Sequence, residues 1–298
     1  MKTGNWKCWE LKERESEGMA TVSARLGLRD MFMDGVRPVR ELLPRLYLNG
    51  QTAEIDGAGL KHKEVNDLVR EAALKGARKI VLRNIYGQRY IGTRLYLPAR
   101  VEIEVHSNPG NDLGAFLNGH KITVYGNAQD GVGNTMDGGE IVVHGRAGDI
   151  VAMSMRGGKI FIRDNVGYRT AIHMKEYTGK VPVLVIGGTA QDFFGEYMAG
   201  GIVILLGLGL GENERHRAHY IGTGMHGGVI YLRGRVEPYQ LGREVGVLDL
   251  DENDWQIVRR YVDEYAAHFG ADADRILAGK FQKLLPVSKR PYGKIYAY

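Results

Sequence analysis

Two aspartates nineteen residues apart, Asp130 and Asp149, have the types and spacing that most directly suggest chemistry. Asn111 lies nineteen residues before the pair, and Tyr168 lies nineteen residues after it. Carboxylates held close together repel each other unless they are solvated, bound to a cation or sharing a proton. Such a pair could form a Ca²⁺ site or the acid and base of a polysaccharide-active enzyme. Because both aspartates adjoin glycine, as in ordinary turns, and no third acid continues the series, we interpret them as turn residues.

A histidine-rich segment is the second candidate. His216 and His219 lie close together, and His226 follows seven residues later, so the segment could supply two or three ligands to a transition metal. The segment also carries several arginines and lies in a charged insertion, which is typical of a solvated loop. We therefore predict no metal-binding, catalytic or cofactor-binding residue in this chain.

Glycine-rich turns and a single cysteine complete the candidates. Gly131-Val-Gly133 could suggest a dinucleotide-binding turn, but that fingerprint requires a helix immediately after it. Here a Gly-Gly pair and the next predicted strand follow within a few residues, so we interpret these glycines as chain corners. Cys8 is the only cysteine, which excludes an internal disulfide and an iron–sulfur cluster held by cysteines of this chain alone. No His/Asn pair lies near it, and we interpret it as structural.

A nineteen-residue unit, repeated three times without a gap from 118 to 174, must position most of these side chains. So short a repeat indicates a stack in which each turn buries its apolar face against the next. It is too short for a βαβ unit of roughly 30 residues. We predict an all-β solenoid with helical flanks, a right-handed parallel β-helix of about seven turns. A methionine column (Met136, Met155, Met174, Met198 and Met225) is interpreted as core filler rather than a soft-metal site.

Two apolar columns extend the repeat in both directions and point to one side of the strands. They are Ile103, Ile122, Ile141, Ile160, Val183, Val203 and Ile230, and Val105, Val124, Val143, Ile162, Val185, Leu205 and Leu232. The column between them changes from polar to apolar: Glu104, Thr123, Val142, Phe161, Leu184, Ile204 and Tyr231. Because a solvated face stays polar, we expect the C-terminal helices to cover part of it. The turns at 175–198 and 199–225 are longer, which predicts loops on one face.

We divide the chain into an N-terminal extension (1–45), a lead-in segment with a helix (46–98), the β-helix (99–234) and a helical tail (235–298). In the lead-in segment, Leu46–Ile55 predicts a hairpin. Residues 63–75 predict an amphipathic helix that could cover the open end of the stack. In the tail, the spacing of apolar residues predicts helices over 252–269 and 272–285.

The composition is that of a globular protein, with 44% hydrophobic and 25% charged residues among 298. No apolar run is long enough to span a membrane, and the first residues lack the apolar core of a signal peptide, so we expect a cytoplasmic protein. The net charge of +5 is spread without an aromatic-basic stripe, and we expect no nucleic-acid partner.

The glycine-flanked strands, the Gly-x-Gly corners and the segment GEYMAGGIVILLG (195–207) resemble the GXGXG β-helix domain of glutamate synthase large subunits. The lead-in helix (68–92) and the tail (272–292) are also similar, so that the resemblance covers roughly 46–292. A related domain forms a subunit of formylmethanofuran dehydrogenase. The stretch 175–195 is longer than in the full-length glutamate synthase.

The resemblance implies a non-catalytic spacer in a glutamate-synthase-like complex for glutamine-dependent glutamate synthesis. Glutaminase-type and FMN-synthase-type subunits would be its partners in a hetero-oligomer, and FMN and an iron–sulfur cluster would lie on those partners. Alternatives are a structural subunit of a formylmethanofuran-dehydrogenase-like complex, a stand-alone polysaccharide-active β-helix enzyme, and a homo-oligomeric binding module.

Overall fold

The chain forms one twelve-stranded sheet in a computed structural model that describes residues 35–93, 95–97, 99–211 and 214–287. Strands β2 to β10 run parallel, and from β3 onward each pairs with the strand before it. Strands β1, β11 and β12 pair antiparallel at the two ends. The predicted β-solenoid with helical flanks is confirmed. Strands β3 to β10 give it about eight turns rather than about seven. Cys8 and most of the predicted N-terminal extension lie outside the described residues.

The elements are short except for two helices. The strands are β1 (Leu46–Asn49), β2 (Thr52–Asp56), β3 (Lys79–Arg83), β4 (Glu102–Val105), β5 (Lys121–Val124), β6 (Glu140–Val143), β7 (Lys159–Ile162), β8 (Val183–Ile186), β9 (Ala199–Leu205), β10 (Gly227–Arg233), β11 (Val245–Leu248) and β12 (Phe281–Pro286). The helices are α1 (Val39–Leu42), α2 (His62–Leu74), α3 (Glu252–Phe269) and α4 (Ala273–Leu277), and Leu43–Arg45 and Pro238–Gln240 are 3₁₀ turns. None of the helices in the described ranges is long and apolar enough to cross a membrane.

The apolar columns stack as predicted from β4 to β7, but the alignment at β8 was wrong by one residue. Ile160 pairs with Leu184 rather than Val183, and Ile162 pairs with Ile186 rather than Val185. Leu184 therefore lies in the solenoid core, and Val183 and Val185 face outward. A slip of one residue moves every side chain of a strand to the opposite face. The register returns to the predicted columns at β9 and β10.

The two longer turns carry their extra residues at different corners, which corrects the prediction of loops on one face. In the turn at 175–198 the insertion precedes β8, because Met155 and Met174 keep the normal spacing whereas Lys159 pairs with Val183. In the next turn the insertion follows β9 and ends before His219. The methionine column lies in the core with at most 1% of each side chain exposed, as predicted.

The N-terminal end of the solenoid is closed by α2. The predicted hairpin is β1 and β2, and the predicted helix connects β2 to β3 with Val65, Leu68 and Val69 buried against the core. Glu64 is also buried, and its two carboxylate oxygens accept hydrogen bonds from the Arg37 side chain at 3.0 and 3.1 Å. Those bonds lower the pKa of Glu64 to about 2.

The apolar part of the outer sheet face is covered by α3, as the column pattern predicted. The predicted range 252–269 is confirmed, and Gly270 ends the helix in the left-handed conformation. Val258, Val262 and Tyr265 of α3 pack against the outward side chains of β6 to β10. The Tyr265 hydroxyl donates to the Arg163 carbonyl at 2.9 Å, in the space where a Gly187 side chain would lie.

The second predicted tail helix, 272–285, was wrong over most of its length. Only α4 is helical, and residues 281–286 form β12, which pairs antiparallel with both β10 and β11. Strand β10 ends the parallel stack, and its open edge exposes backbone groups that β12 satisfies. Sheet pairing therefore outweighed the helical spacing of the apolar residues in this segment.

Each turn contains a segment in which alternate residues have positive φ. After β5 these are Gly131, Gly133 and Thr135, at 72°, 67° and 52°. The middle residue faces the core, where a Cβ on Gly133 would overlap Cδ1 of Ile160, two strands further on. The corresponding residues of the other turns are Gly92, Gly114, Ala152, Ala171, Gly195 and Gly222. The Gly-x-Gly corners of the sequence therefore correspond to this recurring left-handed segment.

Candidate functional site

Asp130 and Asp149 line a polar groove of about 550 Å³ that runs along the solenoid axis. Arg146 and Tyr168 form its walls, together with Asn111, Gln129, Asn165 and Gln191. The parallel strands of successive turns lie about 4.8 Å apart, so side chains at equivalent positions stack in ladders along the groove. The predicted column of Asn111, Asp130, Asp149 and Tyr168 therefore exists.

Each aspartate of this column is bound to the backbone of the next turn. Asp130 Oδ1 accepts from the Asp149 N–H, and Asp149 Oδ1 accepts from the Tyr168 N–H, both at 2.9 Å. Asp192 continues the series, because its Oδ1 accepts from the His219 N–H at 2.8 Å. Asp192 is therefore a further acid of the same column, although Tyr168 separates it from the pair. The five-residue insertion before β8 shifts Asp192 out of the nineteen-residue period, although it occupies the same column.

The groove floor is glycine because the aspartate ladder fills the adjacent space. A Cβ on Gly148 would overlap Asp130 Oδ1, and a Cβ on Gly167 would overlap Asp149 Oδ1. Glycine at these positions therefore allows each carboxylate to reach the backbone of the next turn. Asp130 and Asp149, which the sequence suggested were ordinary turn residues beside glycine, are thus parts of one hydrogen-bonded ladder.

A second ladder runs along the other side of the groove. The side-chain oxygens of Asn108 and Asn127 accept from the N–H groups of Asn127 and Arg146, at 2.8 and 3.1 Å. Asn165 Oδ1 accepts from the Thr189 N–H at 2.8 Å. These exposed bonds link successive turns and leave the N–H groups that they use unavailable to a ligand.

The histidines of the second candidate have separate partners. His216 is fully buried, with Nε2 2.8 Å from the Arg233 carbonyl, so Nε2 carries the proton and Nδ1 has no partner among the described residues. Burial lowers the pKa of His216. His219 lies beside Asp192, and His226 Nδ1 lies 3.2 Å from the Gly224 carbonyl. The interpretation of His216 as part of a solvated loop was wrong, because it fills the core beside Gly207 and Gly234.

The described ranges contain no group of three or more His, Cys, Asp or Glu side chains that could hold a metal ion. The Gly131-x-Gly133 turn leads into β6 and not into a helix, which agrees with the interpretation of a corner. These positions therefore lack the geometry of a dinucleotide-binding turn.

The side of the solenoid with positive φ carries a cluster that the sequence analysis missed. Arg169 Nη1 donates to the buried Glu196 at 2.7 Å, and its guanidinium lies 4.9 Å from the Phe193 ring. Phe193 stacks on Tyr220 at 4.9 Å, and His173 stacks on Tyr197 at 5.4 Å. Arg169, Phe193 and Tyr220 occupy one column, which becomes visible in the sequence only when both insertions are placed. The bonds within the cluster fix its side chains in one arrangement.

A buried polar network joins the tail to the last turn. The Tyr231 hydroxyl donates to Asp254 Oδ1 and Lys283 Nζ donates to Asp254 Oδ2, both at 2.6 Å. Burial opposes the charge on Asp254, but the bond from Lys283 holds the pKa of Asp254 below its usual value. Burial and this neighbour raise the pKa of Tyr231, so the hydroxyl remains a donor. The network attaches α3 and β12 to the solenoid.

Comparison with known proteins gives the following similarities. A family model described as the GXGXG motif matches residues 64–288, from α2 to the end of β12. An uncharacterized protein of Methanocaldococcus jannaschii is 45% identical over 249 residues, which cover 81% of this chain and 95% of that protein. A solved formyltransferase/hydrolase complex of Methylorubrum extorquens, in complex with methylofuran, has a chain with 18% identity and a TM-score of 0.48. That match covers 70% of this chain and 73% of the other.

Proposed function

This chain belongs to the GXGXG motif family, and on that premise we propose that it is a non-catalytic scaffold subunit of a glutamate-synthase-like oxidoreductase complex. Its partners would be a glutaminase-type and an FMN-synthase-type subunit, which it would hold at a fixed separation. The choice of this complex rests on the resemblance of the glycine-flanked strands and of the segment 195–207 to the glutamate synthase domain. FMN and the iron–sulfur cluster would be held by the synthase-type partner.

The observation that carries the non-catalytic role is the use of the candidate groups as structural links. Asp130, Asp149 and Asp192 each bind the backbone of the next turn through Oδ1, and His216 binds a carbonyl inside the core. A catalytic acid or base must instead be within reach of a substrate proton and free to exchange it. One oxygen of each aspartate carboxylate already holds the next turn, which favours a supporting role.

The architecture supports a spacer because it is long and continuously packed. The eight parallel strands from β3 to β10, at about 4.8 Å per step, span roughly 34 Å along the axis. One apolar core runs from the α2 end to the last turn, and a second core fixes α3 on the outer face. Strands β3 and β12 continue the sheet beyond the proposed β-helix segment 99–234, so the proposed flanking segments belong to the same sheet.

Native co-purification tests the proposal. The tagged full-length chain should bring down a flavin-containing partner and a glutaminase-type partner, identified by absorbance and mass spectrometry. Reconstituted glutamine-dependent glutamate synthesis should require this chain. Recovery of a molybdenum or tungsten enzyme instead would contradict the proposal and favour the formylmethanofuran-type complex.

A paired substitution separates the scaffold from a polysaccharide-active enzyme. The Asp130→Asn/Asp149→Asn variant keeps an oxygen at each ladder position, so it should fold and support the complex at the wild-type rate. An enzyme that used these carboxylates would lose its activity. The control is Asp192→Asn, which makes the same change in the same ladder outside the groove.

A further inference from the structure

Strand β11 is the last strand of the sheet, and its outer edge pairs with no other strand in the described part of the chain. Val247 and Leu248 are 43% and 52% exposed, and the strand contains no proline or charged residue. Unpaired edges of this kind readily accept a further strand, and proteins usually protect them with charges, proline or a cover. The edge is therefore suited to association.

The pairing with β12 determines which backbone groups face outward. The Val287 N–H donates to the Glu244 carbonyl at 2.7 Å, so Glu244 and Val287 form a hydrogen-bonded pair. Antiparallel pairs alternate between hydrogen-bonded and non-hydrogen-bonded, which places Val245 and Val247 in non-hydrogen-bonded pairs with Pro286 and Leu284. Pro286 has no N–H to donate, in agreement with this assignment. The N–H and C=O of Val247 consequently point away from β12.

We propose that two copies of this chain associate head to head through β11, in an antiparallel two-fold pairing centred on Val247. In that register each Val247 donates to and accepts from Val247 of the other copy. Asp249 of each copy donates its N–H to the Val245 carbonyl of the other. The Val245 N–H is not required, because it donates to the Gly242 carbonyl at 3.0 Å within its own chain.

Charge complementarity selects a second copy as the occupant. The antiparallel arrangement brings the turn that contains Arg243, just before β11, toward Asp251, just after β11 of the other copy, and the two-fold axis creates this contact twice. Arg243 is exposed and forms no ion pair within the described ranges. Asp251 lies 3.6 Å from Lys283 Nζ of its own chain, but its side chain is 62% exposed and can accept a second cation. A strand running in the opposite direction would place like charges nearer each other. The dimer would join the twelve-stranded sheets of the two copies into one sheet, which goes beyond the proposed scaffold role.

The other exposed edge, β1, provides a contrast. Tyr47 and Leu48 are exposed there, but the neighbouring Arg45 is already paired with Asp56 at 2.5 Å. Pairing of β1 with β11 would be head to tail and would not close, so it would form filaments. The pairing through β11 closes at two copies.

Sedimentation of the full-length chain alone tests the proposal. Concentrations from about 1 to about 100 μM cover the affinities expected of a small interface. The wild-type chain should pass from monomer to dimer within this range, without larger species. A monomer throughout, or filaments, would overturn the proposal.

Three variants test whether the dimer forms through β11. Val247→Pro removes an N–H that points away from β12, and an edge strand tolerates proline at such a position, so the β11–β12 hydrogen bonds should remain. The dimer dissociation constant should rise at least tenfold. Val247→Thr keeps the N–H and the strand preference, and it should dimerise like the wild type. Asp251→Asn retains the acceptor that caps α3 but removes the charge, and it should weaken the dimer roughly threefold and reduce its salt dependence. A dimer unaffected by Val247→Pro would exclude β11 as the interface.

Discussion

Replacing Gly133 by alanine should be far more damaging than its small size suggests, because the new methyl group would overlap Cδ1 of Ile160. Gly133 has φ of 67°, which costs alanine about 1–2 kcal/mol, and overpacking a core costs about 1–3 kcal/mol. We expect a loss of about 2–5 kcal/mol in the free energy of unfolding. Thermal unfolding followed by circular dichroism would show a melting temperature lower by roughly 2–4 °C per kcal/mol.

A second substitution separates the steric part of this cost from the backbone part. Ile160→Val removes Cδ1 and alone should cost about 0.5–1.5 kcal/mol. A later turn of the chain already has this combination of side chains. Ala171 occupies the position that corresponds to Gly133, and the strand register places Val203 at the position that corresponds to Ile160. The double variant Gly133→Ala/Ile160→Val should therefore recover about 1–3 kcal/mol relative to the sum of the two single changes. Ala171→Gly is the matched control and should change stability by no more than about 1 kcal/mol.

Comparison of the two single variants with the double variant can also refute the steric explanation. If the two changes add within about 0.5 kcal/mol, Gly133 and Ile160 do not interact, and the steric explanation of the middle glycine fails. If Gly133→Ala unfolds the protein completely, the double variant still decides the question, since relief of the overlap should restore a folded state.

Three further predictions concern the cover and the buried ionisable groups. Gly187→Ala should destabilise the protein by about 1–3 kcal/mol, because the new Cβ would overlap both the Tyr265 hydroxyl and the Arg163 carbonyl. Tyr265→Phe loses only the bond to that carbonyl and should cost about 1 kcal/mol. Equal losses measured by urea unfolding would contradict the steric account. Because Arg37 lowers the pKa of Glu64 from 4.5 to about 2, the stabilisation by Glu64 is complete above pH 4.5 and declines as the pH falls toward 2. The stability difference between wild type and Glu64→Gln should disappear over that interval, and a difference independent of pH would refute it. Burial lowers the pKa of His216, so the unfolded chain takes up a proton on this histidine at a higher pH than the folded chain does. The free energy of unfolding should therefore fall as the pH drops below 6.5. The free energy of unfolding of His216→Gln, measured in the same series, should depend less on pH.

The period of nineteen residues was sufficient to predict the solenoid, because the same side chain recurs wherever one turn lies above another. Ile103, Ile122 and Ile141 stack as their spacing indicates. The long helix of the tail was also predictable, since its apolar stripe, its Asp251 cap and its Gly270 end are all local signals. These features depend on residues close together in sequence or separated by a constant step.

The candidate site was predictable only in part. The column of Asp130 and Asp149 was visible at constant spacing, but their bonding to the next turn was not, because a turn dipeptide looks the same whether or not its carboxylate joins a ladder. Asp192 and the cluster around Arg169 were missed since the insertions break the period. The sequence gives the length of an insertion but not the corner that contains it.

The residue pattern was enough to predict the repeat, the apolar columns and the ends of α3, because each depends on residue types that lie close together in the chain or recur at a constant step. Tertiary structure alone decided the register of β8, whose four apolar residues can point either way. It also decided the strand at 281–286, which formed because β10 offered an unpaired edge. In both cases the free energy comes from pairing and burial against distant segments, which no local pattern specifies.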